Sequence, residues 1–272
     1  MTIGGAQPDD HETGAYRPGA PRLAGLAAPL LRRFDRRRLA LLARGAPPPA
    51  RLLDGGAGRG RFVAAARVAG YEACGIEPSQ RGVDGAAASY GVALERATVE
   101  TAQVAPGSLD AVTLWHVLEH VDDAGAALDA VAGWLRPGGV VLVGVPNLAS
   151  LQARLAGDRW YHLDLPRHRT HFTPKGFRAL LEAHGFETVR TTHLLLEHNP
   201  FGMWQSLVNR ATRTPNWLYH ALKHNARFDA HDAAVTAAAL PLLPLAAALE
   251  ALAGAARRGG TIAVLARRRP TL

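Results

Sequence analysis

The sequence has few of the residues typical of secreted proteins. Its 272 residues include one cysteine, Cys74, so no internal disulfide can form, and a small disulfide-stabilised scaffold is excluded. The N-terminus has no charged segment followed by an apolar one, which argues against an ordinary signal peptide. We therefore expect a cytoplasmic protein.

Lysine is nearly absent as well, since Lys175 and Lys223 are the only two. The formal charge of +8 therefore comes from arginine, which clusters at 32–33, 36–38, 257–258 and 267–269. Such clusters could mark nucleic acid, anionic lipid or an acidic substrate. No aromatic strip for stacking bases lies among them. The favoured interpretation is a solvated arginine-rich surface, and no nucleic-acid partner is expected.

What the chain does have is a glycine-rich turn directly after a short apolar strand. Residues 52–62 read LLDGGAGRGRF, with glycines at 56, 58 and 60. Alternate glycines let main-chain N–H groups approach a ligand at the start of the next helix. The dinucleotide fingerprint G-x-G-x-x-G is absent, because Arg61 occupies the sixth position counted from Gly56. The pattern D-x-G-x-G-x-G resembles motif I of the class I S-adenosylmethionine (SAM) methyltransferases.

Three further segments extend this resemblance. Glu77 closes a second short strand about twenty residues beyond the turn, as a ribose-binding acid should. Residues 108–121 (SLDAVTLWHVLEHV) resemble the family's fourth strand region, and residues 135–147 (LRPGGVVLVGVPN) resemble its fifth strand. The resemblance implies that SAM binds here, with adenine near Thr98 and Val99. The implied cofactor-binding residues are Asp54, Gly56, Gly58, Gly60, Glu77, Pro78, Thr98, Val99, Trp115 and His116.

Strand and helix patterns alternate up to residue 146, which indicates a parallel sheet with right-handed crossovers. Apolar spacing over residues 22–44 predicts an amphipathic N-terminal helix that caps the sheet. The resemblance implies an α/β Rossmann-like sheet of seven strands, with helices on both faces and an antiparallel last strand. We expect a flexible segment over residues 1–20, one domain over 21–272, and a helical insertion at 198–258.

The segment over residues 147–172 is polar and aromatic, and it follows the fifth predicted strand. Ligands of open α/β sheets bind at the carboxyl ends of strands, so this acceptor loop is expected to face the SAM methyl group. Thr173 and Pro174 then predict a helix start. The loop resembles the pattern lDxPRHxxhFt of a bacterial subgroup similar to ubiquinone-type O-methyltransferases (type 11/23-like). The predicted acceptor-binding residues are Tyr16, Asn147, Tyr161, His162, Asp164 and Arg167.

Methyl transfer from a sulfonium needs an acceptor held in line and, for a hydroxyl, a base. Histidine titrates in the right range, and we rank His171 and His168 first, with His120 next. No metal is expected, because the adjacent Asp122 and Asp123 are interpreted as a helix cap and its neighbour. The interpretation is O-methylation of a small-molecule, glycan or lipid-linked acceptor.

Several alternatives stay open. They are N- or C-methylation of a small metabolite, a nicotinamide-dependent oxidoreductase, which is disfavoured, and a binding module without turnover. An enzyme that methylates amino groups of nucleobases is disfavoured, because no Asp/Asn-Pro-Pro-Tyr/Phe motif follows the fourth predicted strand.

The uncharged run at 233–249 contains Pro241 and Pro244 and is short of the roughly 20 residues that a membrane span needs. It predicts two short helices over the core or an acceptor channel. Peripheral contact of residues 233–256 with a membrane is the alternative.

Overall fold

The computed structural model describes residues 24–223 and 227–270. The predicted flexible segment and Tyr16 lie outside these residues. In the described part of the chain, one sheet has the strand order β2-β1-β3-β4-β6-β5. Its strands are β1 (Arg51–Gly55), β2 (Glu72–Ile76), β3 (Leu109–Trp115), β4 (Leu135–Pro146), β5 (Phe186–Thr192) and β6 (Thr261–Arg268).

The sheet is parallel from β2 to β4, and β6 runs antiparallel between β4 and β5. The predicted antiparallel last strand is therefore confirmed. Residues 140–145 of β4 are buried without interruption. Such a continuous apolar run is typical of a strand that is covered on both faces.

The predicted count of seven strands is not confirmed, because the described residues form six. Where another edge strand would pair with β2, the chain makes one parallel bridge between Ile76 and Glu95. Glu95 N donates to Gly75 O at 3.1 Å, and Glu77 N donates to Glu95 O at 3.0 Å. Val92 and Leu94 are buried before this bridge, and Glu95 and Arg96 are exposed.

Ten α-helices occur in the described residues. They are α1 (Ala24–Leu42), α2 (Arg61–Val68), α3 (Gln80–Tyr90), α4 (Ala124–Trp134), α5 (Leu151–Ala156), α6 (Pro174–Ala183), α7 (Asn199–Val208), α8 (Trp217–Leu222), α9 (Ala230–Ala239) and α10 (Leu243–Ala255). The predicted start of α6 is confirmed, since the Thr173 hydroxyl accepts a hydrogen bond from Gly176 N at 3.1 Å.

The sheet carries apolar cores on both faces. Val112 and Val141 pack with residues of α4 and α6 on one face. Leu52 and Leu142 pack with residues of α1, α2 and α3 on the other. Alternate side chains of each strand therefore enter opposite cores, as the pleat requires.

Helix α1 is fixed to the sheet by Arg38. The guanidinium pairs with the buried carboxylate of Asp54, which also accepts a hydrogen bond from the Thr113 hydroxyl. The guanidinium carbon of Arg38, Cζ, lies 3.6 Å from the centre of the Phe62 ring. The neighbouring Arg37 donates to Leu194 O at 2.6 Å. The interpretation of the arginine clusters as solvated surface is therefore wrong for Arg37 and Arg38.

The predicted acceptor loop is partly helical, and the insertion at 198–258 contains helices, as the sequence predicts. The acceptor loop contains α5 and two 3₁₀ turns, Gly157–Arg159 and Tyr161–Leu163. In the insertion, a 3₁₀ turn joins α9 to α10, and Pro241 lies in this turn. Together they form the helical stretch Ala230–Ala255, which is long and apolar enough to cross a membrane by length and composition.

Replacing Arg38 by alanine is expected to lower the free energy of unfolding by about 3–5 kcal/mol, because Asp54 would keep a buried charge without its partner. Arg36→Ala removes an exposed arginine from the same helix and should change it by less than about 0.5 kcal/mol. Chemical denaturation monitored by circular dichroism measures both values. Equal effects of the two substitutions would contradict the structural role of the Arg38–Asp54 pair.

Candidate functional site

The glycine turn lies between β1 and α2, at the carboxyl edge of the sheet. Gly56, Gly58 and Gly60 have φ angles of 67°, 57° and 72°, a region that favours glycine. A Cβ on Gly60 would lie 2.9 Å from Ala86 Cβ, so this glycine also allows α2 and α3 to pack closely. The turn therefore has the backbone shape predicted for a ligand cradle at a helix start.

Glu77 lies beside this turn, directly after β2. Its carboxylate accepts hydrogen bonds from Gly58 N at 2.8 Å and Ser79 N at 3.1 Å. The side chain is buried, and Pro78 is half-buried. A carboxylate is the type of group that accepts hydrogen bonds from ribose hydroxyls, and the role of Glu77 and of the turn in binding SAM stays a prediction.

The other predicted SAM-binding residues differ in how accessible their side chains are to a ligand. Val99 is buried in the core, and Thr98 bonds to Thr101 through both its backbone N and its hydroxyl. Adenine binding there stays a prediction. Asp54 contacts Arg38 and Thr113, which indicates a structural role for its carboxylate. Trp115 ends β3 half-buried, and its Nε1 has no hydrogen-bond partner.

His116 follows β3 at the same edge. Its φ of 56° is uncommon for a residue other than glycine. Its Nδ1 lies 2.8 Å from Oε1 of the buried Glu119. Burial raises the pKa of Glu119, but the hydrogen bond and charge of His116 lower it further, so it lies below its ordinary value. In the neutral ring that donates Nδ1–H to Glu119, Nε2 is left as the acceptor.

The sequence offered His116 as one of four candidate bases but ranked it below the other three and placed it in the SAM pocket, and it gave Glu119 no role. The His-x-x-Glu spacing directly after a strand could have indicated the pair. It was missed because only histidines were considered as candidates.

The predicted catalytic histidines do converge on this strand end. The His116 and His162 rings are stacked with centroids 6.1 Å apart, and those of His120 and His168 are 4.7 Å apart. The ring of His171 lies 6.2 Å from that of His168. The backbone of the acceptor segment is joined to the β3 end as well, since Arg169 N donates to Glu119 O at 2.7 Å.

Each of the three ranked histidines has one ring nitrogen bonded to a backbone carbonyl. His120 Nδ1 donates to Arg167 O, His168 Nδ1 to His162 O, and His171 Nε2 to Leu163 O, at 3.1, 2.7 and 3.0 Å. Burial lowers the pKa of His120 and of His168. Both are therefore neutral near pH 7, with Nε2 left as an acceptor.

One group of side chains in this cluster could hold a metal ion. Glu119, His120 and His168 each offer one ligand atom, and these atoms lie within 4.8 Å of one another. The predicted absence of a metal is therefore untested. The Asp122–Asp123 pair behaves as predicted, because Asp123 caps α4 at Gly125 N and Ala126 N. Asp122 pairs with Arg169.

The predicted acceptor residues are not all available to a substrate. Asn147 is fully buried, its Nδ2 donates to Gly259 O at 2.9 Å, and its Oδ1 accepts from Ala149 N at 3.0 Å. Each polar atom of its side chain thus has a partner inside the protein, and this burial does not support substrate contact. Asp164 pairs with Arg167 at 2.7 Å, and His162 is buried with its Nε2 unpartnered.

Tyr161 stands in an aromatic group with Phe201 and Tyr219, each 5.6 Å away between ring centres. Lys223 also contacts Tyr219. The sequence did not indicate that Phe201, Tyr219 and Lys223 lie near Tyr161, because they are 40 or more positions away along the chain and no spacing connects them to Tyr161.

Gly82→Ala is expected to weaken SAM binding roughly tenfold, because the new Cβ would lie 2.7 Å from Glu77 Cγ and displace the carboxylate. Gly133→Ala is the matched control, since nothing lies within 4 Å of its Cβ in α4. Titration calorimetry with SAM measures both. Wild-type affinity in the Gly82 variant would show that the Glu77 position does not matter for SAM.

Comparison with known proteins agrees with this geometry. Residues 27–191 match the model of a methyltransferase domain family. A ubiquinone biosynthesis O-methyltransferase of Xanthomonas campestris pv. campestris is 30% identical over 194 residues, which cover 66% of this chain and 79% of that protein. The enzyme of the same name from Xanthomonas euvesicatoria is 30% identical over 125 residues, and the match spans only half of its length.

Solved structures show the same fold. A SAM-dependent methyltransferase from Archaeoglobus fulgidus has a TM-score of 0.55 at 16% identity, over 91% of this chain and all of that one. The 1,6-didemethyltoxoflavin-N1-methyltransferase of Burkholderia thailandensis, solved with S-adenosylhomocysteine, has a TM-score of 0.51 at 17% identity, over 94% and 95%. The family model, the glycine turn and Glu77 overturn the nicotinamide alternative. This chain is a member of the class I SAM-dependent methyltransferase family.

Proposed function

We propose that this chain methylates a hydroxyl group on a small-molecule, glycan or lipid-linked acceptor. The observation that carries the proposal is the His116–Glu119 pair at the carboxyl edge of β3. A carboxylate on one ring nitrogen orients a histidine so that the other can accept a proton. The names of the Xanthomonas relatives, which are O-methyltransferases of ubiquinone biosynthesis, support a hydroxyl acceptor.

The pair lies close to the SAM cradle. A Cβ on Gly56 would meet Val117 Cγ2 at 2.6 Å, so the residue after His116 already packs on the glycine turn. We infer that the turn holds the amino acid end of SAM, Glu77 the ribose, and the segment at Thr98 and Val99 the adenine. Bound SAM supplies an electrophilic methyl group that needs no further activation.

The protein has to hold the acceptor and take its proton. The acceptor oxygen forms the new bond to carbon as the bond between carbon and sulfur breaks, and the electron pair remains on sulfur. The hydroxyl proton passes to a histidine nitrogen. His116 is favoured because it alone among these histidines has a hydrogen bond to a carboxylate in the described residues. His168, His171 and His120 remain candidates from the sequence.

The acceptor is expected to lie against the aromatic group of Tyr161, Phe201 and Tyr219. Rings at this spacing form an apolar wall, which suits a phenolic or lipid-linked acceptor. Arg167 is proposed to orient or neutralise the acceptor.

Substitution of the base by glutamine is expected to lower kcat about 10²–10⁴-fold with little change in SAM affinity. The assay is transfer of labelled methyl from SAM to a panel of phenolic, glycan and lipid-linked hydroxyl compounds. His116→Gln should show this loss of kcat. Glu119→Gln should show a smaller loss, because the amide oxygen of the new glutamine can still accept a hydrogen bond from His116 Nδ1.

His168→Gln, His171→Gln and His120→Gln are the matched comparisons. If one of them loses the rate while His116→Gln keeps it, the base is in the acceptor segment or at His120. If the panel yields only N-methylated products, O-methylation is wrong. N-methylation is the second candidate because the Burkholderia neighbour carries out this reaction on the same fold.

Removal of metal ions is expected to leave the methyl transfer rate unchanged, because the sulfonium needs no Lewis acid. The measurement compares the rate before and after dialysis against a chelator, with the metal content determined by mass spectrometry. Loss of the rate, restored by a divalent cation in the wild type and not in His168→Ala, would assign a metal to Glu119, His120 and His168.

A further inference from the structure

The turn between α9 and α10 exposes six consecutive apolar residues, at positions 240–245. Leu240, Leu242 and Leu245 are 50%, 57% and 58% exposed. Consecutive exposed apolar residues lower the solubility of a protein, and they are rare on protein surfaces unless a partner covers them.

The exposed face extends along both helices. Between Asp232 and Arg257 every exposed residue is apolar, because the two polar side chains, Thr236 and Glu250, are buried. In the most apolar 18 residues of this helical stretch, only 17% are buried. A helix in the core of a protein would be mostly buried. This face is as apolar as a membrane helix, but it lies on the surface of the domain.

The opposite face is held to the domain by specific bonds. Glu250 accepts from Gly260 N and from Gln152 Nε2, both at 2.7 Å. Trp204 Nε1 donates to Ala239 O at 2.8 Å. These buried polar contacts would be lost if the stretch crossed a bilayer, where no water replaces them. The stretch therefore fits a membrane surface and not a span.

The charges at the ends of the face suit anionic lipid. Arg257 and Arg258 are exposed directly after α10. At the other end, exposed Arg227 precedes Phe228, whose side chain is 82% exposed. Arginine beside an apolar helix face lies at the level of lipid headgroups, where each basic residue adds attraction to anionic lipid.

We propose that the exposed face of α9 and α10 docks on an anionic lipid bilayer, with the leucines of the turn in the boundary between headgroups and acyl chains. The docking does not depend on which acceptor is methylated. It brings the methyltransferase domain to the bilayer surface without this stretch crossing the bilayer.

The test is flotation of the full chain with vesicles of phosphatidylcholine, alone or mixed with phosphatidylglycerol. Wild type should float with the mixed vesicles, more weakly with the neutral ones, and less at high salt. The triple substitution Leu240→Ser, Leu242→Ser, Leu245→Ser should weaken binding by roughly tenfold per leucine. Val68→Ser is the matched control, because Val68 is 91% exposed on α2, and it should bind as wild type.

The double substitution Arg257→Gln, Arg258→Gln should weaken binding to the mixed vesicles by roughly fivefold per arginine and leave binding to neutral vesicles unchanged. SAM affinity and thermal unfolding of each variant verify the fold. No flotation of folded wild type, or equal flotation of the leucine and Val68 variants, would overturn the proposal. So would a dimer in analytical ultracentrifugation that the leucine substitutions dissociate without any vesicle binding, because the face would then be an interface between two copies.

Discussion

The carboxyl edge of the sheet depends on one buried carboxylate. Asp54 lies next to the last residue of β1 and accepts hydrogen bonds from a guanidinium of α1 and a hydroxyl of β3, so three elements meet at a single side chain. Burial opposes ionisation of Asp54, while the charge of Arg38 favours it. A charge inside a protein is tolerated only with such partners. The glycine turn begins two residues later, so its position is set by this contact.

A second residue with two functions is Glu119. Its carboxylate fixes the ring of His116, and its carbonyl oxygen accepts the backbone N–H of Arg169. The orientation of the histidine and the position of the acceptor segment are therefore set by one residue after β3. Displacement of Glu119 would change both, which is why the acceptor side and the base are expected to move together.

The sequence predicted what local spacing determines. The glycine turn, Glu77 and the cap of α6 each follow from residues within a few positions of one another, and the structure has them where expected. The pair of Arg38 with Asp54 and the contact of Tyr161 with Tyr219 join distant segments, so no local pattern indicates them. The seventh strand is a point where the resemblance fails, since the described residues form a single bridge between Ile76 and Glu95 where the family pattern implies an edge strand.

The position of β6 brings the two ends of the insertion close together. Because β6 lies next to β5 and runs antiparallel to it, Thr192 pairs with Ala263, and residues 193–260 leave and re-enter the sheet at nearly the same point. A segment with adjacent ends can change length without altering the strands that carry the cofactor turn. A change in the length of the insertion is therefore expected to leave the strand pairing intact, whereas its sequence has to keep buried contacts such as that of Glu250 with Gln152.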